Sequence, residues 1–499
     1  MKRDDSIQQI KERRDWDLLV IGGGASGLGV ALEAVSRGYR TLLVEQHDFS
    51  KGTSSRSTKL IHGGVRYLRQ GNFTLVRDAL RERGYLLRNA PHLVHDLALV
   101  VPVYRWRDLG FYGSGLKLYD LLAGRLRLGW SQLLGRDEVI RRLPTIKVRG
   151  LKGGILYHDG QFDDARLAID LAKSIAARSG VVTNYVQAVS LLKNGAKTAG
   201  AVVRDMLSGE KYEASARITI NATGAFADHV RRLDDENAPP LVAASQGTHI
   251  VLDASFLPTR TALMVPKTED GRVLFAIPWY NRVIVGTTDV AIKEASLEPV
   301  PLAEEVDFLL RHSALYLTRA PTTKDILSVF SGIRPLVSAK KGPTSALSRD
   351  HQVLISESGL VSLVGGKWTT YRKMGEDAVE AAMKTGRLEP RSGTDTRALR
   401  INGSALGQPA LTDSLHPALP VSREQVITGV QEEMACTIED VLARRTRALF
   451  LDARAALEMA PAVAKIMAEE LGRDEAWQRE QVESFRSLAK NYLPSSVAR

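Results

Sequence analysis

The chain has 499 residues, mixed charges summing to a formal +11, a pI near 9.6 and an ordinary apolar fraction, which suits a large core, more than one domain and anionic partners. Its single cysteine, Cys436, excludes an intrachain disulfide and a two-cysteine redox or metal site, and fits a reducing, cytoplasmic compartment. No apolar run approaches the roughly 18 residues of a membrane span. The charged start MKRDDSIQQIKERRDWD is not expected to act as a signal peptide, and no zinc-finger spacing or basic tract with interleaved aromatics points to nucleic acid.

The first predicted unit runs from Trp16 as WDLLVIGGGASGLGVALEAVSRGYRTLLVEQHDF: an apolar run, a glycine cluster, a helix-compatible stretch and a second apolar run. This is a βαβ pattern. Gly22, Gly24 and Gly27 occupy the three glycine positions of a dinucleotide fingerprint, which serve a tight turn, close approach of backbone to a pyrophosphate, and close packing of helix on strand. The following helix N-terminus offers unpaired N–H groups to phosphate. Glu45, at the end of the second run, sits where a carboxylate accepts hydrogen bonds from ribose hydroxyls and opposes a 2′-phosphate. FAD and NAD both use this fingerprint, and the segment alone does not separate them.

Next comes GTSSRSTKLIHGG, Gly52 to Gly64, whose small hydroxylated residues and glycines let backbone approach a large planar ligand; Ser57, Lys59, His62 and Gly64 belong to it. The stretch Arg105 to Leu134 mixes Trp, Tyr, Leu and basic residues; it reads either as a surface for an anionic bilayer or as a helix pair packed on the core. An apolar run containing Ile218 and Ile220 ends at Ala222-Thr223-Gly224. His249 lies in GTHIVLD, where apolar and polar residues alternate as in a half-buried strand. The segment VSLVGGKWTTYRKMGEDAVEA reads as strand, glycine pair and helix, so that Gly366 and Thr369 fall where the positive end of a helix faces a ligand. A Gly-, Pro- and Ser-rich linker then precedes Ser422 and Gln425, a capping-box pair opening a helical stretch.

These segments carry a resemblance. TSSxSxKLIHGGxRYL, DDARL (163–167), NATGAFAD (221–228), QGTHIV (246–251) and FAIPW (275–279) resemble the FAD-dependent glycerol-3-phosphate dehydrogenases of the respiratory type. VGTTD (285–289), SGIRPL (331–336), SRDH (348–351), GGKWTTYRK (365–373) and IEDVLARRTRALFLDA (438–453) extend it over essentially the whole chain.

The resemblance implies an α/β architecture: a Rossmann-like FAD-binding domain interleaved with a mostly antiparallel substrate domain over residues 1–388, a linker over 389–420 and a C-terminal α-helical cap over 421–499. It implies non-covalent FAD, bound by Gly22, Gly24, Gly27, Glu45, Ser57, Lys59, His62, Gly64, Ala222, Gly224, Gly366 and Thr369, and no metal. It further implies sn-glycerol 3-phosphate as donor, with the C2 hydride passing to the flavin, dihydroxyacetone phosphate as product and a quinone as the next acceptor. Arg66, Tyr67 and Arg349 match the positions that hold the phosphate, and guanidinium forks suit that dianion. His249 matches the proton acceptor, and Arg334 and Lys367 match the groups at the hydroxyl end and the flavin. Oxidases of the same family carry an insertion that is not seen between VGTTD and SGIRPL, which favours quinone and a peripheral position on the cytoplasmic face of a membrane. The competing readings are an oxygen-using oxidase, an amine- or amino-acid-oxidising flavoprotein, and a flavin-binding module without catalysis; a homo-oligomer stays open.

Overall fold

The computed structural model describes residues 1–13, 15–68, 71–269, 271–337, 350–391, 393–403 and 414–496. The side chains of Arg66 and Tyr67, and Arg349 as a whole, lie outside the described part.

Two sheets share the core. In the first, the strands Val361–Val364, Lys211–Asn221, Trp16–Ile21, Thr41–Val44 and Val181–Thr183 lie parallel, with Gln352–Ile355 antiparallel at one edge. Trp16–Ile21 and Thr41–Val44 are buried throughout, as continuous apolar runs in a sheet covered on both faces must be. The helix Ala25–Ser36 follows the glycine turn, and the helix Tyr371–Ala382, nearly 350 residues on, crosses it. A Cβ at Gly29 or at Gly375 would run into backbone of the opposite helix. Two glycines thus bring the first and last segments of the core to backbone contact.

Among the described residues the second sheet has ten strands, every pairing antiparallel except that of Ala262–Val265 with His95–Val103. The chain alternates between the sheets: residues 60–161 and 242–337 build the second, and the segments before, between and after build the first. The two halves are therefore interleaved rather than consecutive.

The strand Val242–Asp253 departs from the half-buried pattern that its alternation predicts, because Ser245 to Leu252 are all buried. One face, with Ile250, Leu252 and Val285, packs on the helix Ala303–Tyr316. The other, with Val251, Ile284 and Phe330, is covered by C-terminal residues such as Val441, Phe450 and Met459. The helices Arg423–Glu433, Ala453–Leu471 and Glu475–Ala489 thus hide a sheet face that the sheet alone would leave to water. The first of them opens on the expected capping box: Ser422 Oγ accepts from Gln425 N at 3.3 Å, and Gln425 Oε1 accepts from Ser422 N at 3.1 Å.

The stretch 105–134 is one helix, Trp106–Ala123, followed by the edge strand Gln132–Gly135, rather than a helix pair. Among the described residues no helix is long and apolar enough to cross a membrane.

Candidate active site

A cavity of about 690 Å³ opens between the carboxyl ends of the parallel strands and one face of the antiparallel sheet. That end of a parallel sheet is where loops and helix N-termini converge. Gly22, Gly24, Glu45, Ser57, His62, Gly64, Ala222, Gly224, His249, Arg334, Gly366, Lys367 and Thr369 all border this one cavity. Residues spread over some 350 positions of sequence meet there.

Two expected cofactor residues stand elsewhere. Gly27 is not on the wall: it lies under the glycine turn, where a Cβ would collide with Gly22 O, so it serves the packing of helix on strand. Lys59 is fully buried behind the wall, donating to Asp164 Oδ2 at 2.6 Å and to Ser55 O at 2.8 Å, with its ammonium facing the rings of Trp279, Phe330 and Phe450. Arg66 and Tyr67 lie in the helical turn Val65–Leu68, whose first residue borders the cavity, but their side chains and Arg349 are outside the described part.

The glycine turn fits a dinucleotide. Gly22 has φ +112°, and a Cβ there would meet Ala222 O at 2.7 Å, so only glycine keeps the phosphate approach open. Glu45 accepts from Gly23 N at 2.6 Å and from His47 N at 2.9 Å, which fixes its carboxylate at the mouth of the turn; burial raises its pKa above the usual carboxylate value. The loop is pinned to this unit as well: Ser54 Oγ accepts from Ala25 N at 2.9 Å, and Trp368 Nε1 donates to Ser54 O at 2.8 Å. At the other end of the cavity, Gly365 and Gly366 both have positive φ and lead into the turn Trp368–Thr370. Thr369 Oγ1 bonds the backbone of His62 there at 3.3 Å.

His249 and Arg334 come from paired strands in which Thr248 faces Ser331 and Ser245 faces Arg334. The pleat puts Ser245, Gly247 and His249 on the same face as Phe330, Gly332 and Arg334. Each functional side chain lies over a glycine on the neighbouring strand: a Cβ at Gly286 would strike the His249 ring, and one at Gly247 would strike the Arg334 guanidinium. The imidazole stacks on Phe330 with centroids 4.9 Å apart and planes 13° from parallel, and its Nε2 is 2.9 Å from Thr58 Oγ1. Burial, then the charges of Arg334 and Lys59, push its pKa well below the ordinary imidazole value, so it stands neutral. Arg334 donates to Thr287 Oγ1 at 3.0 Å and lies 3.5 Å from Asp289.

Behind the wall, Asp164 is shared by two cations. Burial would raise its carboxyl, but Lys59 and Arg447 outweigh that and hold it below the usual range. Burial in turn draws Lys59 down to about 7. Sequence reasoning did not single out Thr58, Asp164 or Arg447. DDARL looks from spacing like a helix start, and Asp163 does cap that helix by accepting from Arg166 N at 3.0 Å. The second acid is tied instead to residues 105 positions before it and 283 after.

Residues 17–372 match the family model of FAD dependent oxidoreductases, and residues 357–478 match that of the C-terminal domain of alpha-glycerophosphate oxidase. The mitochondrial glycerol-3-phosphate dehydrogenases of Homo sapiens and Arabidopsis thaliana are each 38% identical to this chain, over 97% of it and over 75% and 87% of their own lengths. The crystal structure of the glycerol-3-phosphate dehydrogenase from Bacillus halodurans complexed with FAD aligns with a TM-score of 0.79 at 28% identity, covering 98% of this chain and 97% of that one. L-alpha-glycerophosphate oxidase from Mycoplasma pneumoniae with FAD bound shares the fold at a TM-score of 0.61 and 16% identity, over 78% of this chain and 98% of its own.

Proposed function

This chain belongs to the FAD-dependent glycerol-3-phosphate dehydrogenase family, and we propose that it oxidises sn-glycerol 3-phosphate to dihydroxyacetone phosphate and passes the electrons to a quinone. The observation that carries this reading is the convergence of a neutral, buried His249 and a cationic Arg334 on the cavity that the glycine turn and Gly366 also border. Bound FAD supplies the hydride acceptor. Gly22 and Gly24 would hold its pyrophosphate, Glu45 its ribose, and Gly366 with Thr369 would hold its flavin end, since all five border the cavity.

His249 is the base on which the charge of the proton released from the C2 hydroxyl comes to rest, because a neutral imidazole offers a lone pair where an imidazolium offers none. Arg334 and Lys367, cations bordering the same space, steady the oxygen as negative charge grows on it. Arg66, Tyr67 and Arg349 are assigned the phosphate on family position.

Quinone reduction calls for a membrane surface, and six exposed large apolar residues fall between Trp106 and Leu133. On the helix Trp106–Ala123 the side chains of Trp106, Phe111, Leu118 and Leu121 are exposed, and Trp130 and Leu133 follow. Arg127 and Lys117 stand over the Trp130 ring, 3.5 and 5.6 Å from its centroid. Large exposed apolar side chains rimmed by basic ones suit peripheral binding to an anionic bilayer, on the cytoplasmic face.

The test is anaerobic mixing of the flavin-loaded protein with sn-glycerol 3-phosphate, followed through the flavin absorbance. Rapid bleaching, reversed by a quinone analogue much faster than by oxygen, is the expected result. Reversal by oxygen at the faster rate makes the protein an oxidase, and no bleaching overturns the donor.

A further inference from the structure

We propose that the hydroxyl of Thr58 relays the substrate's hydroxyl proton to His249, an inference that rests on the donor reading above. Thr58 borders the cavity, and its Oγ1 stands 2.9 Å from His249 Nε2. The other ring nitrogen, Nδ1, is sealed from the cavity and has no hydrogen-bond partner among the described residues. The ring cannot readily turn to present it, being stacked on Phe330 on one side and closed in by Gly286. Protons therefore pass between cavity and imidazole through Nε2, and Thr58 is the group found there.

The threonine is held in place from both sides. Asp164 accepts from Ser57 N at 3.1 Å and from Ser57 Oγ at 2.7 Å, and Lys59 Nζ donates to the same carboxylate at 2.6 Å. Lys59 has φ +62°, a left-handed conformation that a lysine adopts only when its surroundings impose it. That turn sends Lys59 behind the wall and leaves Thr58 facing the cavity. A buried carboxylate and two anchored neighbours thus fix the position of one hydroxyl.

A threonine hydroxyl accepts one hydrogen bond while donating its own proton. In the relay the substrate O–H bond breaks, its proton goes to Thr58 Oγ, and the proton that Thr58 carried goes to His249 Nε2. The C2 hydrogen leaves with its electron pair to the bound flavin, the carbon–oxygen bond becomes a carbonyl, and Thr58 ends neutral while His249 ends as imidazolium. Burial and the charges of Arg334 and Lys59 disfavour that imidazolium, so the proton returns along the same hydroxyl once the product has left.

The experiment is stopped-flow flavin reduction by sn-glycerol 3-phosphate in mixtures of H₂O and D₂O, with wild type, Thr58→Val and Thr58→Ser. For the wild type we expect a solvent isotope effect whose dependence on deuterium fraction is curved, as two protons in flight require. Thr58→Val should lower the reduction rate on the order of 10²-fold. It should leave FAD content and donor affinity unchanged, and Thr58→Ser should restore the rate. A Thr58→Val protein reduced at the parental rate, or a linear dependence in the wild type, overturns the relay and leaves the donor assignment standing. The wild-type measurement needs no variant and decides the matter even if Thr58→Val fails to fold. A wild-type flavin that sn-glycerol 3-phosphate does not bleach overturns the donor and the relay together.

Discussion

Arg447 donates to Asp164 Oδ1 at 2.8 Å, with both side chains buried, and so ties the C-terminal helical region to the loop that walls the cavity. The same guanidinium donates to Ser55 O at 3.1 Å and to Ala443 O at 2.7 Å. Nearby, Arg444 and Arg445 both donate to Asp48, and Lys51 donates to Glu439 at 2.6 Å. Breaking a buried pair from one side costs about 3–5 kcal/mol when the remaining charge is left uncompensated; Asp164 keeps Lys59 at 2.6 Å, so removing Arg447 costs part of that. Arg447→Ala should therefore lower the melting temperature and, by loosening residues 55–59, release FAD on gel filtration. Unchanged melting and full flavin content would show that the pair does not hold the loop.

Gly286→Ala tests whether the imidazole position matters on a finer scale. The added methyl would occupy the space of the His249 ring, while the paired strands on either side stay in register. A displacement of about 1 Å costs roughly 10²-fold in rate. The flavin-reduction rate should fall by that order with FAD content unchanged. A rate within a factor of about two of wild type would mean that the ring has slack.

The pH dependence follows from the neutral state of His249. Its folded pKa is depressed by burial, then by Arg334 and Lys59, so its base form persists below about 6.5, where a free imidazole is half protonated. At saturating donor, the reduction rate should stay level as pH falls through 6.5 and decline only further into acid. An acid limb centred at or above 6.5 in the stopped-flow profile would count against His249 as the proton acceptor.

Membrane contact should depend on the exposed helix. Burying a single Trp, Phe or Leu side chain contributes about 1.5–3 kcal/mol. Replacing Trp106, Phe111 and Leu121 together by Ser should thus weaken co-sedimentation with anionic liposomes at least 10²-fold. Flavin reduction by the donor should stay at the parental rate, since none of the three borders the cavity. Undiminished co-sedimentation of the triple variant would place the contact elsewhere.

The dinucleotide unit was legible in the sequence because its physics is local. A buried parallel strand, a turn that only glycine can make and a carboxylate at the next strand end are all set within some 30 residues: Gly22 forms the turn, Gly27 packs beneath it and Glu45 accepts from Gly23 N. The capping box at Ser422 is local in the same way. His249, Arg334 and Lys367 were visible only through resemblance, since one histidine in an alternating strand has no chemistry until a partner strand sets Arg334 beside it. What spacing does not encode is which distant groups share a volume. Tertiary packing alone made the His249 strand buried on both faces, by laying the C-terminal helices over it. It also took Lys59 off the cavity wall and placed Thr58 against His249 across 191 positions, because a buried charge goes to its counter-ion wherever the fold puts it, and Asp164 lies behind that wall.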